Sequence, residues 1–338
     1  MKNLDYLKLL SKQYINQEKV AIEIANLSAI LTLPKGTEYF FSDLHGEYES
    51  FIHLLRSASG IIRSKIKFVF GKEKSEKEIL DLANVIYYPE EKLANLDFSK
   101  EETFDYQKDL IRELVELLKS LSKKYTKSKV RKNIDESYVY ILEELMYKED
   151  DAHEIEKEKY YNEIIKSIIE HDLSKSFISE LCKVVRRIAV DELHIVGDIC
   201  DRGPRQDYIF DELINYNNVD IEWGNHDIAW MGAYVGNSAN LLSCLRIAVR
   251  YNCFDMLEDG YGINLRLLNE FIEKYYKDDP CDCFKPFVLD ENVYDVVNPA
   301  ISKKMQKALA IMQFKVEGQI IKNHPEYDMN DRIMLERI

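Results

Sequence analysis

Three short apolar runs in this chain end the same way, and that pattern constrains the fold more than anything else in it. Glu38-Tyr39-Phe40-Phe41 leads into Asp43-Leu44-His45-Gly46. The run ELHIV from Glu192 leads into Gly197-Asp198-Ile199-Cys200-Asp201-Arg202-Gly203, and VDIEW from Val219 leads into Gly224-Asn225-His226-Asp227. Each run has the length and the aromatic and β-branched content of a strand. Helical spacing then follows from Tyr48 to Arg56, through Ile209, Phe210, Leu213 and Ile214, and from about Ile228. In an open α/β sheet the ligand crevice lies outside the carboxyl ends of the strands. Three loops far apart in sequence can therefore meet there.

Taken singly, the loop residues have ordinary explanations. Asp43 and His45 suit a turn, Asp198 suits a helix N-cap, and Arg202 suits a surface ion pair of little energetic weight. The three loops together, each after a strand, read instead as a shared site in which Asp43 and His45 grip a metal ion.

The surrounding chain is helical. Residues 3–31 carry apolar residues at three- and four-residue spacing, which predicts one helix, and Pro34-Lys35-Gly36 ends it. Lys- and Glu-rich segments follow the first loop, with apolar stripes over 111–125, 136–150 and 163–188. The expected organisation has four parts. Residues 1–60 form the N-terminal helix and first strand–loop–helix, and 61–190 form a helical insertion. Residues 191–235 continue the core, and 236–338 form a mainly helical segment that stops inside a helical pattern.

Composition removes several function classes. With 60 acidic and 46 basic residues and a formal net charge of −14, the chain is not built for general nucleic-acid binding. A phosphorylated substrate is compatible with that charge if metal ions or local arginines reverse the field in the site. No apolar run approaches the length of a membrane span, and the start lacks a secretory signal, so the expected location is the cytoplasm, without membrane contact. The six cysteines include one close pair, Cys281 and Cys283, whose spacing is not that of a zinc knuckle; buried, reduced thiols are expected. His53, His153 and His171 lie in charged helical contexts and read as surface or partly buried side chains, and His194 reads as a packed strand residue.

The motifs D-x-H, G-D-x-x-D-R-G and G-N-H-D/E stand here in order. In this the chain resembles the metallophosphoesterase superfamily, the calcineurin-like phosphatases. HIVGDICDRGP, VDIEWGNHDIAWMGA, RYNCFDMLEDGYGINLR and AIMQFKVEGQIIKNHPEYDMNDR, with the long insertion after the first motif, are similar to the class III fructose-1,6-bisphosphatases of Firmicutes. The resemblance covers nearly the whole chain. It implies an α/β metallophosphoesterase core, first half only, with a large all-α insertion and flanking helices. It implies hydrolysis of the 1-phosphate of fructose 1,6-bisphosphate, a gluconeogenic step.

It also implies roles. Asp43 and His45 would bind one metal, Asp198 would bridge two, and Asn225 would bind the second. His226 would be the general acid, Asp201 would orient and stabilise it, and Arg202 would clamp the phosphate. Carboxylate, imidazole and amide donors suit Mn2+, Fe or Zn, and Mn2+, dinuclear in a complete protein, is the expected cofactor.

The chain departs from the family in one respect. Metallophosphoesterases bring further histidine ligands after the third motif, whereas only His324 follows His226, and it reads as a non-ligand. The chain therefore reads as an N-terminal portion of a protein roughly double its length. It is expected to bind metal weakly and to hydrolyse phosphate esters poorly or not at all alone. Other readings are a different metallophosphoesterase, such as a protein phosphatase or a dinucleoside-polyphosphate hydrolase, and an inactive chain that binds a completing C-terminal half. Homo-oligomerisation, through the insertion or otherwise, also stays open.

Overall fold

The computed structural model describes residues 2–94, 100–147, 154–216, 218–287, 298–333 and 335. In chain order the elements begin with α1 (Lys2–Gln13), α2 (Gln17–Ile30), β1 (Glu38–Phe41) and α3 (Tyr48–Ser57). Helices α4 (Ile61–Phe70), α5 (Glu76–Tyr87), α6 (Pro89–Ala94), α7 (Lys100–Ser122), α8 (Lys127–Arg131), α9 (Val139–Met146), α10 (Glu154–Glu170) and α11 (Ser174–Ala189) follow. The chain then returns to β2 (Glu192–Val196), α12 (Gln206–Ile214), β3 (Val219–Glu222), α13 (Asn225–Tyr234), α14 (Ser238–Arg250), α15 (Arg266–Tyr275) and α16 (Pro299–Asn323). His153 and part of the stripe over 136–150 lie outside the described residues.

The chain divides into two compact units, Met1–Thr37 with Arg56–Asp191, and Glu38–Leu55 with Glu192–Ile338. Among its described residues the first has only helices as regular elements. Its centre is α11, whose Phe177, Ile178, Leu181, Val184 and Val185 are buried, packed on α7 and α5. Leu114, Leu117 and Leu118 of α7 are fully buried, as the spacing of the 111–125 stripe requires. Burying each such leucine contributes about 1.5–3 kcal/mol. Ser75 and Glu78 close a reciprocal capping box at the start of α5.

Two expected helices are interrupted. The 3–31 helix breaks where Asn16, with extended backbone, caps α2 by accepting the Lys19 N–H at 2.8 Å. Apolar spacing runs through that position, but the cap residue ends the first helix. Leu4, Leu7 and Leu9 of α1 and Ile22, Ile24 and Leu27 of α2 stay exposed, and α2 buries no residue. The 163–188 stripe is split by Asp172, whose φ of 62° stops α10 before α11 begins.

The second unit carries a three-stranded parallel sheet of order β1-β2-β3, with Glu38 opposite Glu192 and Leu193 opposite Val219. One face is covered. Tyr39, Phe41, Leu193, Ile195 and Val219 pack with Phe51 and Leu55 of α3 and with Ile209 and Leu213 of α12. Alternation along the strands sends Phe40, His194, Val196 and Asp220 to the other face. A second core joins α14, α15 and α16 through Val249, Ile272, Met305 and Leu309. Helix α13 begins at Asn225 rather than near Ile228. The Asp227 carboxylate accepts the Gly224 N–H at 2.9 Å and winds the first turn back to the motif.

Candidate metal centre

Parallel pairing puts the carboxyl ends of the three strands side by side, and the backbone of the loops beyond them continues the contact. The N–H groups of Asp43, His45 and Gly46 donate to the carbonyls of Gly197, Asp198 and Ile199 at 3.3, 2.8 and 2.9 Å. Arg205 N–H returns to the carbonyl of Gly46 at 3.1 Å. This approach requires glycine at two positions. A Cβ on Gly203 would strike the His45 carbonyl, and one on Gly224 would strike the Asp198 carboxylate. Asp43, His45, Asp198, Asp201 and Arg202 all have φ between 43° and 74°. Such backbone costs of order 1–3 kcal/mol per residue and collects at functional sites.

Asp43, His45 and Asp198 each offer a ligand atom, and these atoms lie within 4.8 Å of one another. His45 is oriented from behind, its Nδ1 lying 3.2 Å from the Cys200 carbonyl. A carbonyl only accepts, so Nδ1 carries the proton and Nε2 keeps a lone pair, the tautomer that metal-bound histidines adopt. Nε2 is 3.9 Å from Asp43 Oδ1. Two carboxylates and one imidazole form a donor set suited to a divalent first-row cation, so these residues fit a metal. Asn225 opens α13 directly after Gly224, the residue pressed against Asp198, and is exposed.

A second group stands beside the first. His226 Nδ1 donates to Asp201 Oδ2 at 2.9 Å, and the His45 and His226 rings meet edge to face with centroids 5.3 Å apart. Asp201 is 1% exposed, and burial raises its carboxyl pKa. Hydrogen bonds from Trp230 Nε1 to Oδ1 at 2.7 Å and from His226 oppose that rise. Arg202 donates from Nη1 to His45 Nε2 at 3.1 Å and from Nη2 to His226 Nε2 at 3.2 Å. Its guanidinium thus spans the two groups and makes no surface ion pair among the described residues. Asp198 caps no helix of its own; its Oδ1 accepts the His226 N–H at 3.4 Å, at the start of α13.

Some residues of the site carried no assignment from sequence. Asp227 is buried, and its Oδ1 accepts the N–H groups of Ile199 and Cys200, both at 2.9 Å, while Oδ2 holds Gly224. It ties the second loop to the third and is not a ligand. Trp230 lies one helical turn on, where an indole N–H can reach back to the loops, and that spacing was the available signal. Gln206 Oε1 accepts the Asp201 N–H at 2.7 Å. Arg205 pairs with Asp207 and lies over the Tyr208 ring, and Arg246 donates to Gln313. His324 pairs with Glu326 and stacks on Tyr327. His194 packs in β2, stacked on Phe40. All six cysteines are free, five of them buried.

Fold and site together define an α/β protein with a candidate divalent-metal centre at the carboxyl edge of a parallel sheet. The sequence profile of the Firmicute fructose-1,6-bisphosphatase family matches residues 5–338, and the chain belongs to that family. It is 49% identical over 337 residues, 100% of its length, to the class 3 fructose-1,6-bisphosphatase of Clostridium novyi (strain NT), covering 50% of that protein. It is 48% identical to the class 3 fructose-1,6-bisphosphatases of Clostridium acetobutylicum and Clostridium botulinum (strain Hall), in each case over 99% of this chain and 50% of the relative. The chain thus spans about half the length of the curated relatives it matches. No solved structure matches it.

Proposed function

We propose that this chain supplies the first half of a metal-dependent phosphomonoesterase site of the calcineurin-like type, acting on fructose 1,6-bisphosphate to give fructose 6-phosphate and phosphate. The observation that carries this is the meeting of Asp43, His45 and Asp198 beside the His226–Asp201 pair and Arg202. The sugar comes from the names of the relatives. Asp43, His45 and Asp198 would hold Mn2+, with Asp198 shared and Asn225 on a second ion. When bound, such ions neutralise phosphate charge and make a coordinated water acidic enough to attack phosphorus.

The chain's own residues do the rest. Arg202 presents a planar fork of donors to the phosphate oxygens. Moving onto phosphate releases both imidazole Nε2 atoms, that of His45 for a cation and that of His226 for a proton. His226 gives its Nε2 proton to the leaving sugar oxygen. Asp201 holds the opposite nitrogen protonated and offsets the charge of the imidazolium. Asp201 is buried beneath it, while the His226 side chain stays 14% exposed, open to a leaving group.

Phosphate release from fructose 1,6-bisphosphate with excess Mn2+, compared with Asp198→Asn, tests the proposal. Slow release by the parent chain, and none by the variant, is expected. Equal release by both would refute it. A panel including a phosphopeptide and a dinucleoside polyphosphate separates the sugar from the substrates of other phosphoesterases.

A further inference from the structure

The connection between α14 and α15, residues 251–265, reaches the loop that carries Asp201 and Arg202. That loop is strained: the two residues are consecutive at φ of 67° and 74°. Such backbone persists only where its surroundings over-determine it. Cys253 supplies one restraint. Asn252, at φ 60°, turns the chain off the end of α14, and the Cys253 N–H bonds the Ala248 carbonyl at 2.9 Å. The thiol then lies 3.3 Å from the Gly203 carbonyl and 3.6 Å from that of Arg202, with the Tyr251 carbonyl 3.5 Å away. A thiol has one proton to donate, and the Gly203 oxygen is its nearest acceptor. Burial, with the Asp201 and Glu47 carboxylates, raises the Cys253 pKa to about 12, so that proton is kept. Cys253 also belongs to the core of α14, α15 and α16, which fastens the arginine loop to that core.

Tyr261 supplies another. It follows a π-helical turn, Met256–Gly260, a rare conformation that collects at functional sites. Gly260 approaches Asp207 so closely that a Cβ would lie 2.5 Å from its carboxylate. The Tyr261 oxygen accepts Gln206 Nε2 at 3.2 Å, and Gln206 is fully buried. The Tyr261 ring lies 5.2 Å from that of Trp230. Gln206 holds the Asp201 N–H and Trp230 holds its carboxylate, so one tyrosine stands behind both.

We propose that Cys253 and Tyr261 are positioning residues, through which the α14–α15 connection sets Arg202 and Asp201 for the reaction. Cys253 fixes the carbonyls of Arg202 and Gly203, and with them the direction in which the guanidinium leaves the loop. Tyr261 fixes Gln206 and Trp230, and through them the carboxylate under His226. Both act through other residues and touch no reacting atom. The contacts rest on the geometry alone, whereas their consequence for turnover rests on the proposed function.

The test has two readouts on the whole chain. The first is hydrogen exchange by NMR. The chain has 2 tryptophans, so Trp230→Phe assigns the indole signals. The Trp230 N–H should exchange slowly in the parent, and Tyr261→Leu should speed it more than about tenfold, with Tyr261→Phe, which keeps the ring, close to the parent. Cys253→Ala should do the same for the buried Gly203 N–H, which bonds the Asp201 carbonyl. The second readout is phosphate release from fructose 1,6-bisphosphate with Mn2+. Cys253→Ala should raise KM about fivefold with kcat little changed, the mark of a lost binding contact, and Cys253→Ser, which restores a donor, should bring KM back. Tyr261→Leu should lower kcat about tenfold at unchanged KM. A role in folding alone would not move KM or its rescue by serine. Free exchange of the Trp230 indole in the parent, unchanged exchange in either variant, or faster exchange with unchanged release kinetics would overturn the proposal. No release by the parent chain sinks the phosphatase reading instead, and the exchange rates then decide the positioning contacts by themselves.

Discussion

Asp201 is a carboxylate almost without solvent, and its charge rests on two donors, Trp230 Nε1 and His226 Nδ1. Asp201→Asn keeps the shape and removes the charge that stabilises a His226 imidazolium. It should lower turnover by about 10²-fold or more, the scale of a general-acid contribution, while calorimetric Mn2+ affinity stays unchanged. Trp230→Phe removes the donor that favours the ionised form, so the burial-raised pKa of Asp201 rises further. Activity needs the carboxylate, so the acid limb of the pH–rate profile should move to higher pH in this variant; an unmoved limb would separate Trp230 from the chemistry. The meeting of Asp43, His45, Asp198 and His226 was legible because each lies just past a strand-like run and because their motifs resemble those of a known superfamily. Trp230, Gln206 and Asp227 were not, because their roles lie in hydrogen bonds to loops more than twenty residues away or to backbone groups that sequence does not place.

Among the elements, the loops and the start of α13 act as one unit through Asp227. Asp227→Ala leaves three N–H groups without this carboxylate, two of them buried, and should cost about 3 kcal/mol in denaturant unfolding. Gly203→Ala drives a Cβ into the first loop and should abolish Mn2+ binding with the helical unit still folded by circular dichroism. Away from the site, Lys307 of α16 binds Asp279, just beyond α15, and that hydrogen bond first, with the Cys281 N–H and thiol, lowers the Asp279 pKa to about 2. A depressed carboxylate pKa contributes stability above the unfolded value, lost as pH falls through the folded one. Asp279→Asn should therefore lower the thermal midpoint at pH 7, and the difference should vanish as pH approaches 2. Strand positions were readable from short runs bounded by turn residues. The breaks at Asn16 and Asp172 were not, since a cap and one left-handed residue interrupt helices without disturbing apolar spacing.

For the whole molecule, the chain belongs to the Firmicute fructose-1,6-bisphosphatase family and spans about half the length of the curated relatives it matches. No helix among the described residues is long and apolar enough to cross a membrane. The apolar spacing over 3–31 predicted one helix; it falls on α1 and α2, and α2 buries no residue. The central claim is that loops from three strands make one cation site. Isothermal titration of the chain with Mn2+, beside Asp198→Asn, tests it most directly. The account predicts weak binding to one site per chain, lost in the variant. Equal heats from both proteins, or none from the parent chain, would contradict it.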